Sequence, residues 1–124
     1  MATIDLTEAN IEKTIAENDI VIIDFWAEWC GPCKSFGPIF EKASENFPDI
    51  TFAKVNTEEE QGLAGYFQIR SIPTVMVLKE QIGIFQQAGM LPEEALTDLL
   101  QQAQALDMDQ VRADLQKQQE TGQQ

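Results

Sequence analysis

The sequence predicts an α/β protein with a mixed sheet flanked by helices, and three observations carry that prediction. Strand-like runs rich in β-branched residues alternate with stretches of helical periodicity, as when strands are joined by covering helices. One run, Ile20-Val21-Ile22-Ile23-Asp24-Phe25, is almost continuously apolar, as expected of a strand covered on both faces. The last two strand-like runs, Pro73 to Leu78 and Ile82 to Gln87, are close enough in sequence to be hairpin partners, which adds antiparallel pairing.

Each element has its own local reason. Residues 3–6 suit a short strand, and Thr7 suits the N-cap of a helix with Ile11 and Ile15 on one face. Asn18-Asp19 is a turn before the apolar strand. A helix is expected from about Pro32 to Asn46, with Pro32 in its first turn, Phe36, Ile39, Phe40 and Ala43 as its apolar stripe, and Pro38 as a kink. Pro48-Asp49 turns the chain into a strand over Ile50 to Val55. Glu58-Glu59-Glu60 suits the first turn of a third helix running through Leu63 to about Phe67, where acids meet the positive end of the dipole. Pro73 stands at the first residue of its strand, where a missing N–H is tolerated. Leu91-Pro92-Glu93-Glu94 opens a helix carrying Leu96, Leu99 and Leu100.

From Gln101 onward the chain is rich in Gln and Ala. Asp107-Met108-Asp109-Gln110 resembles a capping box, and Met108, Val111 and Leu115 share one helical face, so a short amphipathic helix is expected, with residues 120–124 frayed.

A chain of 124 residues suits one core, and 44% hydrophobic with 23% charged residues places it among soluble globular proteins. No apolar run approaches the roughly 20 residues of a membrane span. Met1-Ala2-Thr3-Ile4-Asp5 has neither the basic start nor the apolar stretch of a signal peptide, so the expected location is the cytoplasm. Eight basic against 21 acidic residues give a net charge of −13, which argues against nucleic acid and anionic membrane as partners. There is no histidine, so Ser-His and Cys-His nucleophile pairs and His-containing zinc sites are excluded. An all-cysteine metal site needs four thiolates, and one chain supplies two; a metal shared across a dimer stays open.

Those two, Cys30 and Cys33, lie in Trp29-Cys30-Gly31-Pro32-Cys33-Lys34, directly after the apolar strand and at the start of the expected helix. Two residues three apart there can close a small disulfide ring or open it to two thiols on one helical face. Cys30 precedes the helix, so its sulfur faces unpaired backbone N–H groups and the positive end of the dipole, which favour thiolate. Cys30 is therefore the expected nucleophile. Cys33, one turn further in and expected to be less exposed, is the resolving thiol. Pro32 removes one N–H from the site and stiffens it, which favours the dithiol as a reductant. A purely structural disulfide is disfavoured, because so small a loop constrains the unfolded chain little.

Asp24 interrupts an apolar strand six positions before Cys30. A carboxyl buried there has a raised pKa and can exchange a proton with Cys33, although an acid at the strand end reaching solvent is the alternative. Lys54 lies in Phe52-Ala53-Lys54-Val55; it reads either as a partner of Asp24 or as an outward-facing strand residue. Trp26 is expected in the core, and Trp29 beside the thiols as contact area.

The run from Phe25 to Lys34, with Asp24, Lys54, Pro38, Arg70-Ser71-Ile72-Pro73-Thr74 and Gly89, resembles the thioredoxin family over residues 3–106. The resemblance implies the thioredoxin fold, a central mixed sheet flanked by helices. It also implies reduction of protein disulfides by the Cys30–Cys33 pair, with no bound cofactor beyond that disulfide, and re-reduction by an NADPH-dependent thioredoxin reductase. Asp24 matches the family's buried acid and Lys54 its partner. Substrate chains would lie against Trp29, Gly31, Pro32, Ile72, Pro73 and Gly89. A cis Ile72–Pro73 bond, also implied by the resemblance, would present the Ile72 backbone for strand-like pairing.

The chain departs from the family in two places. Lys79-Glu80-Gln81-Ile82-Gly83 replaces an Asn-Gly-type turn, and residues 107–124 extend past the 1–106 domain. The extension reads first as a packed extra helix, then as a dimer contact or a docking element. The expected protein is a monomeric protein-disulfide reductase. The alternatives are a binding subunit whose redox activity is incidental, and a disulfide oxidant or isomerase.

Overall fold

The computed structural model describes residues 2–121. Its sheet has five strands: β1 (Thr3–Asp5), β2 (Ile20–Trp26), β3 (Thr51–Asn56), β4 (Thr74–Lys79) and β5 (Ile82–Ala88). Their order across the sheet is β1-β3-β2-β4-β5. β1 and β2 run parallel to β3, while β4 is antiparallel to both β2 and β5, so the sheet is mixed, as expected. The helices are α1 (Ile11–Glu17), α2 (Gly31–Asn46), α3 (Gln61–Tyr66), α4 (Glu93–Ala105) and α5 (Met108–Thr121).

The apolar run of β2 is covered on both faces, which is why it lacks polar alternation. Ile20 and Ile22 point to one side, where Phe36 and Phe40 of α2 and Leu96 and Leu100 of α4 complete a core. Val21, Ile23 and Phe25 point to the other, against Leu6, Ile11 and Leu63. This two-residue alternation places Asp24 on the α2 side. α2 follows β2 after a four-residue loop and carries the cysteine motif at its N-terminus, at the end of the sheet where β2 stops and β4 starts.

Two helix starts lie later than the sequence suggests, each because an asparagine builds a turn first. Asn10, not Thr7, shapes the entry to α1: its Oδ1 accepts the Thr7 N–H at 2.8 Å and its Nδ2 donates to the Asp5 carbonyl at 3.0 Å. Asn56 Oδ1 accepts the Glu58 N–H at 3.0 Å and its carbonyl accepts that of Glu60 at 2.8 Å. Glu58-Glu59-Glu60 therefore form a turn before α3 rather than its first turn.

The β4–β5 connection is a two-residue turn with Glu80 and Gln81 both left-handed, at φ 50° and 70°. Asn and Gly fill such a turn most readily, whereas other side chains crowd the following carbonyl. Gln81→Gly is expected to raise stability by about 1 kcal/mol, read as a higher urea midpoint at constant slope. An unchanged or lower midpoint would show that the turn is unstrained.

The residue before that turn is the surprise of this region. Lys79 is buried, and its ammonium donates to the carbonyls of Ala103 at 2.8 Å, Gln104 at 3.1 Å and Leu106 at 2.9 Å. It thus satisfies the orphan carbonyls at the end of α4. Asp107 Oδ1 then caps α5 by accepting the N–H groups of Asp109 and Gln110 at 3.0 and 3.3 Å. The return half of the expected capping box is replaced by a bond from the Gln110 amide to Asp114. Met108 is buried, Val111 half-buried and Leu115 exposed, while Arg112 pairs with Glu80 and Asp109. α5 is thus packed through its first turns, at the end of β4 remote from the cysteines. Of the residues expected to fray, 120 and 121 are helical, and 122–124 lie outside the described residues.

Candidate active site

Cys30 occupies the N-cap of α2 with extended backbone, and its Sγ accepts the Cys33 N–H at 3.2 Å. Gly31 opens the helix and Pro32 follows in its first turn, so neither residue interrupts the backbone ladder. Cys30 and Cys33 form a disulfide with their Cα atoms 5.2 Å apart. The expected difference in exposure between them is absent: Cys30 is 4% and Cys33 5% exposed. The cause is the segment before β4, whose Ile72 carbonyl lies 3.6 Å from Cys30 Sγ.

Ile72–Pro73 is a cis peptide, as the resemblance implied. Pro73 is buried, and its carbonyl accepts the Gly89 N–H at 2.8 Å. Gly89 has φ 97°, a conformation that disfavours any side chain. Cys30, Ile72, Pro73 and Gly89 are thus brought together, with Ile72 and Gly89 the more exposed of the four. Trp29, next to Cys30, is 69% exposed and edges a cleft of about 570 Å³ with Glu28, Asn56, Glu58 and Glu59.

Asp24 is fully buried, and neither carboxylate oxygen has a hydrogen-bond partner among the described residues. Burial pushes its pKa up from 3.8 to about 7, and the charge of Lys54 holds it back from rising further. Lys54 stands directly opposite Asp24 in the β2–β3 register, on the same face of the sheet. Its ammonium does not close an ion pair with Asp24; it lies over the Trp26 ring, 4.9 Å from the centroid. Trp26 accordingly corrects the sequence reading. It joins neither core cluster, is half-buried, and serves as a platform for Lys54. An open pocket of about 370 Å³ has Trp26, Gly37, Cys33 and Lys54 among its lining residues.

The sequence reading missed two threonines. Thr57 donates both its N–H (2.9 Å) and its hydroxyl (3.1 Å) to the Trp26 carbonyl, which fixes the end of β2. Thr74, 3% exposed, donates its hydroxyl to the Ser71 carbonyl at 2.6 Å. Thr57 belongs to no motif, and Thr74 closes the Arg70-Ser71-Ile72-Pro73-Thr74 segment without a task of its own there; both bonds depend on loop geometry.

A redox disulfide at a helix N-terminus, set on a mixed sheet beside a cis-proline segment, defines a thiol–disulfide oxidoreductase of the thioredoxin-fold class. Comparison with known proteins agrees. The Thioredoxin family model matches residues 2–102. The chain is 54% identical over 118 residues to a Streptomyces coelicolor protein that carries the name thioredoxin 2, covering 95% of this chain and 88% of that one. It is 41% identical over 90 residues to the thioredoxin of Mycoplasma pneumoniae, covering 73% and 88%. Among solved structures, Plasmodium falciparum thioredoxin superposes with a TM-score of 0.75 at 33% identity, covering 81% of this chain and 97% of that one. The chain belongs to the thioredoxin family, and its chemistry is thiol–disulfide exchange.

Proposed function

We propose that this protein is a general protein-disulfide reductase, and the observation that carries the reading is the partnerless Asp24 carboxyl buried on the same side of the sheet as the disulfide helix. A buried acid with a pKa near 7 is costly to a fold and useful to a thiol that must lose and regain a proton.

In the reduced protein, Cys30 is the thiolate, stabilised by the Cys33 N–H and the α2 dipole. It attacks one sulfur of a substrate disulfide; that bond breaks, a Cys30–substrate disulfide forms, and the displaced sulfur leaves as a thiolate that takes a proton from solvent. Asp24 accepts the Cys33 proton. The Cys33 thiolate then attacks Cys30 Sγ; the Cys30–substrate bond breaks, the Cys30–Cys33 disulfide forms, and the second substrate sulfur leaves as a thiolate that takes a proton from solvent, to which Asp24 returns the proton it took from Cys33. Two electrons pass from the dithiol to the substrate. Lys54, held over Trp26, keeps the Asp24 carboxylate accessible near neutral pH.

The substrate chain lies across Trp29, Gly31, Pro32, Ile72, Pro73 and Gly89. The Ile72 N–H has no partner among the described residues, which leaves it available for strand-like pairing. An NADPH-dependent thioredoxin reductase returns the two electrons. The protein acts in the cytoplasm as a monomer, with residues 1–106 as the redox domain and 107–124 as an extension that begins at the end of β4 remote from the cysteines and leaves the active site open.

The test is catalysis of insulin reduction by dithiothreitol, followed as precipitation of the insulin B chain, together with the equilibrium against a glutathione buffer. A reductant accelerates precipitation and stays oxidised in all but strongly reducing mixtures. No acceleration sinks the proposal, and a potential as oxidising as that of disulfide-forming enzymes turns it into the oxidant reading.

A further inference from the structure

The segment Ser71-Ile72-Pro73-Thr74 has three consecutive carbonyls, and each has a defined neighbour. The Ser71 carbonyl accepts the Thr74 hydroxyl at 2.6 Å, the Ile72 carbonyl faces Cys30 Sγ at 3.6 Å, and the Pro73 carbonyl accepts the Gly89 N–H at 2.8 Å. The last two belong to the site already described. The first is a side-chain bond made by the opening residue of β4, whose backbone is held between Phe25 of β2 and Ala88 of β5. Thr74 is therefore a fixed post, and its hydroxyl reaches back over two residues to a loop that is otherwise held only at its end.

The consequence follows from peptide geometry. The Ser71 C=O and the Ile72 N–H belong to one planar trans peptide unit and point in opposite directions. A hydrogen bond that fixes the carbonyl on the inner side fixes the N–H on the outer side. That N–H has no partner among the described residues, and it belongs to the same residue whose carbonyl meets the reactive sulfur.

We propose that Thr74 is a positioning residue for substrate: by bonding the Ser71 carbonyl it sets the Ser71–Ile72 peptide plane and aims the free Ile72 N–H at the backbone of the incoming disulfide-bearing chain. This rests on the reading of Ile72–Pro73 as the substrate ledge. The role belongs to the hydroxyl and not to the bulk of the side chain. Valine keeps the shape and the β-branching that suit β4 while leaving the Ser71 carbonyl unpaired.

The experiment compares wild type, Thr74→Val, Thr74→Ser and Trp29→Ala in two assays. One is reduction of insulin, which uses the ledge; the other is reduction of 5,5′-dithiobis(2-nitrobenzoate), a small disulfide without a peptide backbone. Thr74→Val is expected to raise the KM for insulin by about three- to tenfold, the scale of one hydrogen bond, with kcat and the small-disulfide rate within about twofold. Thr74→Ser, which keeps the hydroxyl, is expected to restore the KM. If the KM of Thr74→Val stays at the wild-type value while Trp29→Ala raises it, the ledge stands and the role of Thr74 is overturned. If neither variant changes the KM, the ledge reading falls as well. Equal slowing of both substrates by Thr74→Val also overturns the proposal, since it marks a structural role only. Should the valine variant not fold, Thr74→Ala is read by the same two assays.

Discussion

Cys30→Ser is expected to lower disulfide reductase activity by a factor on the order of 10³ or more, to the uncatalysed background, while Cys33→Ser is expected to trap substrate as a mixed disulfide on Cys30. Exposure does not distinguish the two sulfurs in the disulfide form, since both are almost fully covered. The hydrogen bond does. Cys30 Sγ sits at the N-cap of α2 and accepts the Cys33 N–H, so negative charge on that sulfur is stabilised by a fixed donor and by the helix dipole. Cys33 lies inside the first turn, where its own N–H points at its partner and no such donor serves its sulfur among the described residues. A serine hydroxyl at position 30 has neither the acidity nor the redox chemistry to replace the thiolate. A serine at position 33 leaves the first attack intact and removes the second. Mass spectrometry of a Cys33→Ser reaction with insulin should show a covalent adduct that dithiothreitol releases. Turnover by Cys30→Ser, or adducts confined to Cys33, would reverse the assignment.

Much of this arrangement was legible in the sequence because it rests on local patterns. The apolar run of β2 announced a strand covered on both faces, the polar break at Asp24 announced a buried acid, and the cysteine spacing at a strand-to-helix junction announced the chemistry. The starts of α1 and α3 were not legible. They are set by Asn10 and Asn56, whose side chains close turns onto Thr7, Asp5 and Glu58, and those partners exist only once the chain is folded. Lys79 illustrates the same limit more strongly. By composition it belonged to an exposed turn, yet three carbonyls at the end of α4 draw its ammonium into the interior. An ammonium with three well-placed acceptors can be buried where a solitary one cannot.

The site shows the same division. Cys30, Cys33 and Asp24 declare themselves by residue type and place. Lys54 does not, because its ammonium is shared between the Trp26 ring and the field of Asp24, and neither is a neighbour in sequence. Trp26 likewise reads as core from its composition alone. Its actual task follows from its position at the last residue of β2, where the sheet opens toward the cavity beside Cys33. Thr57 carries no signal and Thr74 only its place after Pro73, since a threonine hydroxyl that bonds a loop carbonyl looks like any other threonine.

Asp24→Asn is expected to stabilise the protein more and more relative to wild type as pH rises from about 4 to about 8. The sign follows from the raised pKa. Well below pH 3.8 the carboxyl is protonated in both the folded and the unfolded chain, so its burial there carries no pH-dependent cost. Between 3.8 and about 7 the unfolded chain releases the proton and the folded chain holds it, so each step upward in pH favours unfolding. Above pH 7 the penalty is complete, and at about 1.4 kcal/mol per pKa unit its upper bound is about 4 kcal/mol. Asparagine titrates in neither state, so the difference in urea-unfolding free energy between the two proteins isolates this contribution from any fixed cost of the amide. A gap independent of pH would mean that the carboxyl is solvated in solution. On the proposed mechanism the same substitution removes the proton acceptor for Cys33, so the mixed disulfide should persist longer and its resolution should lose its dependence on a group titrating near 7. Lys54→Met tests the remaining term. Since Lys54 lowers the folded Asp24 pKa, its removal should carry the upper edge of the stability window, and the pH profile of the resolution step, to higher pH together, while the lower edge stays at the unfolded value. That joint movement ties the destabilising carboxyl to the chemistry, because a carboxyl buried only for packing would shift the first and leave the second unchanged.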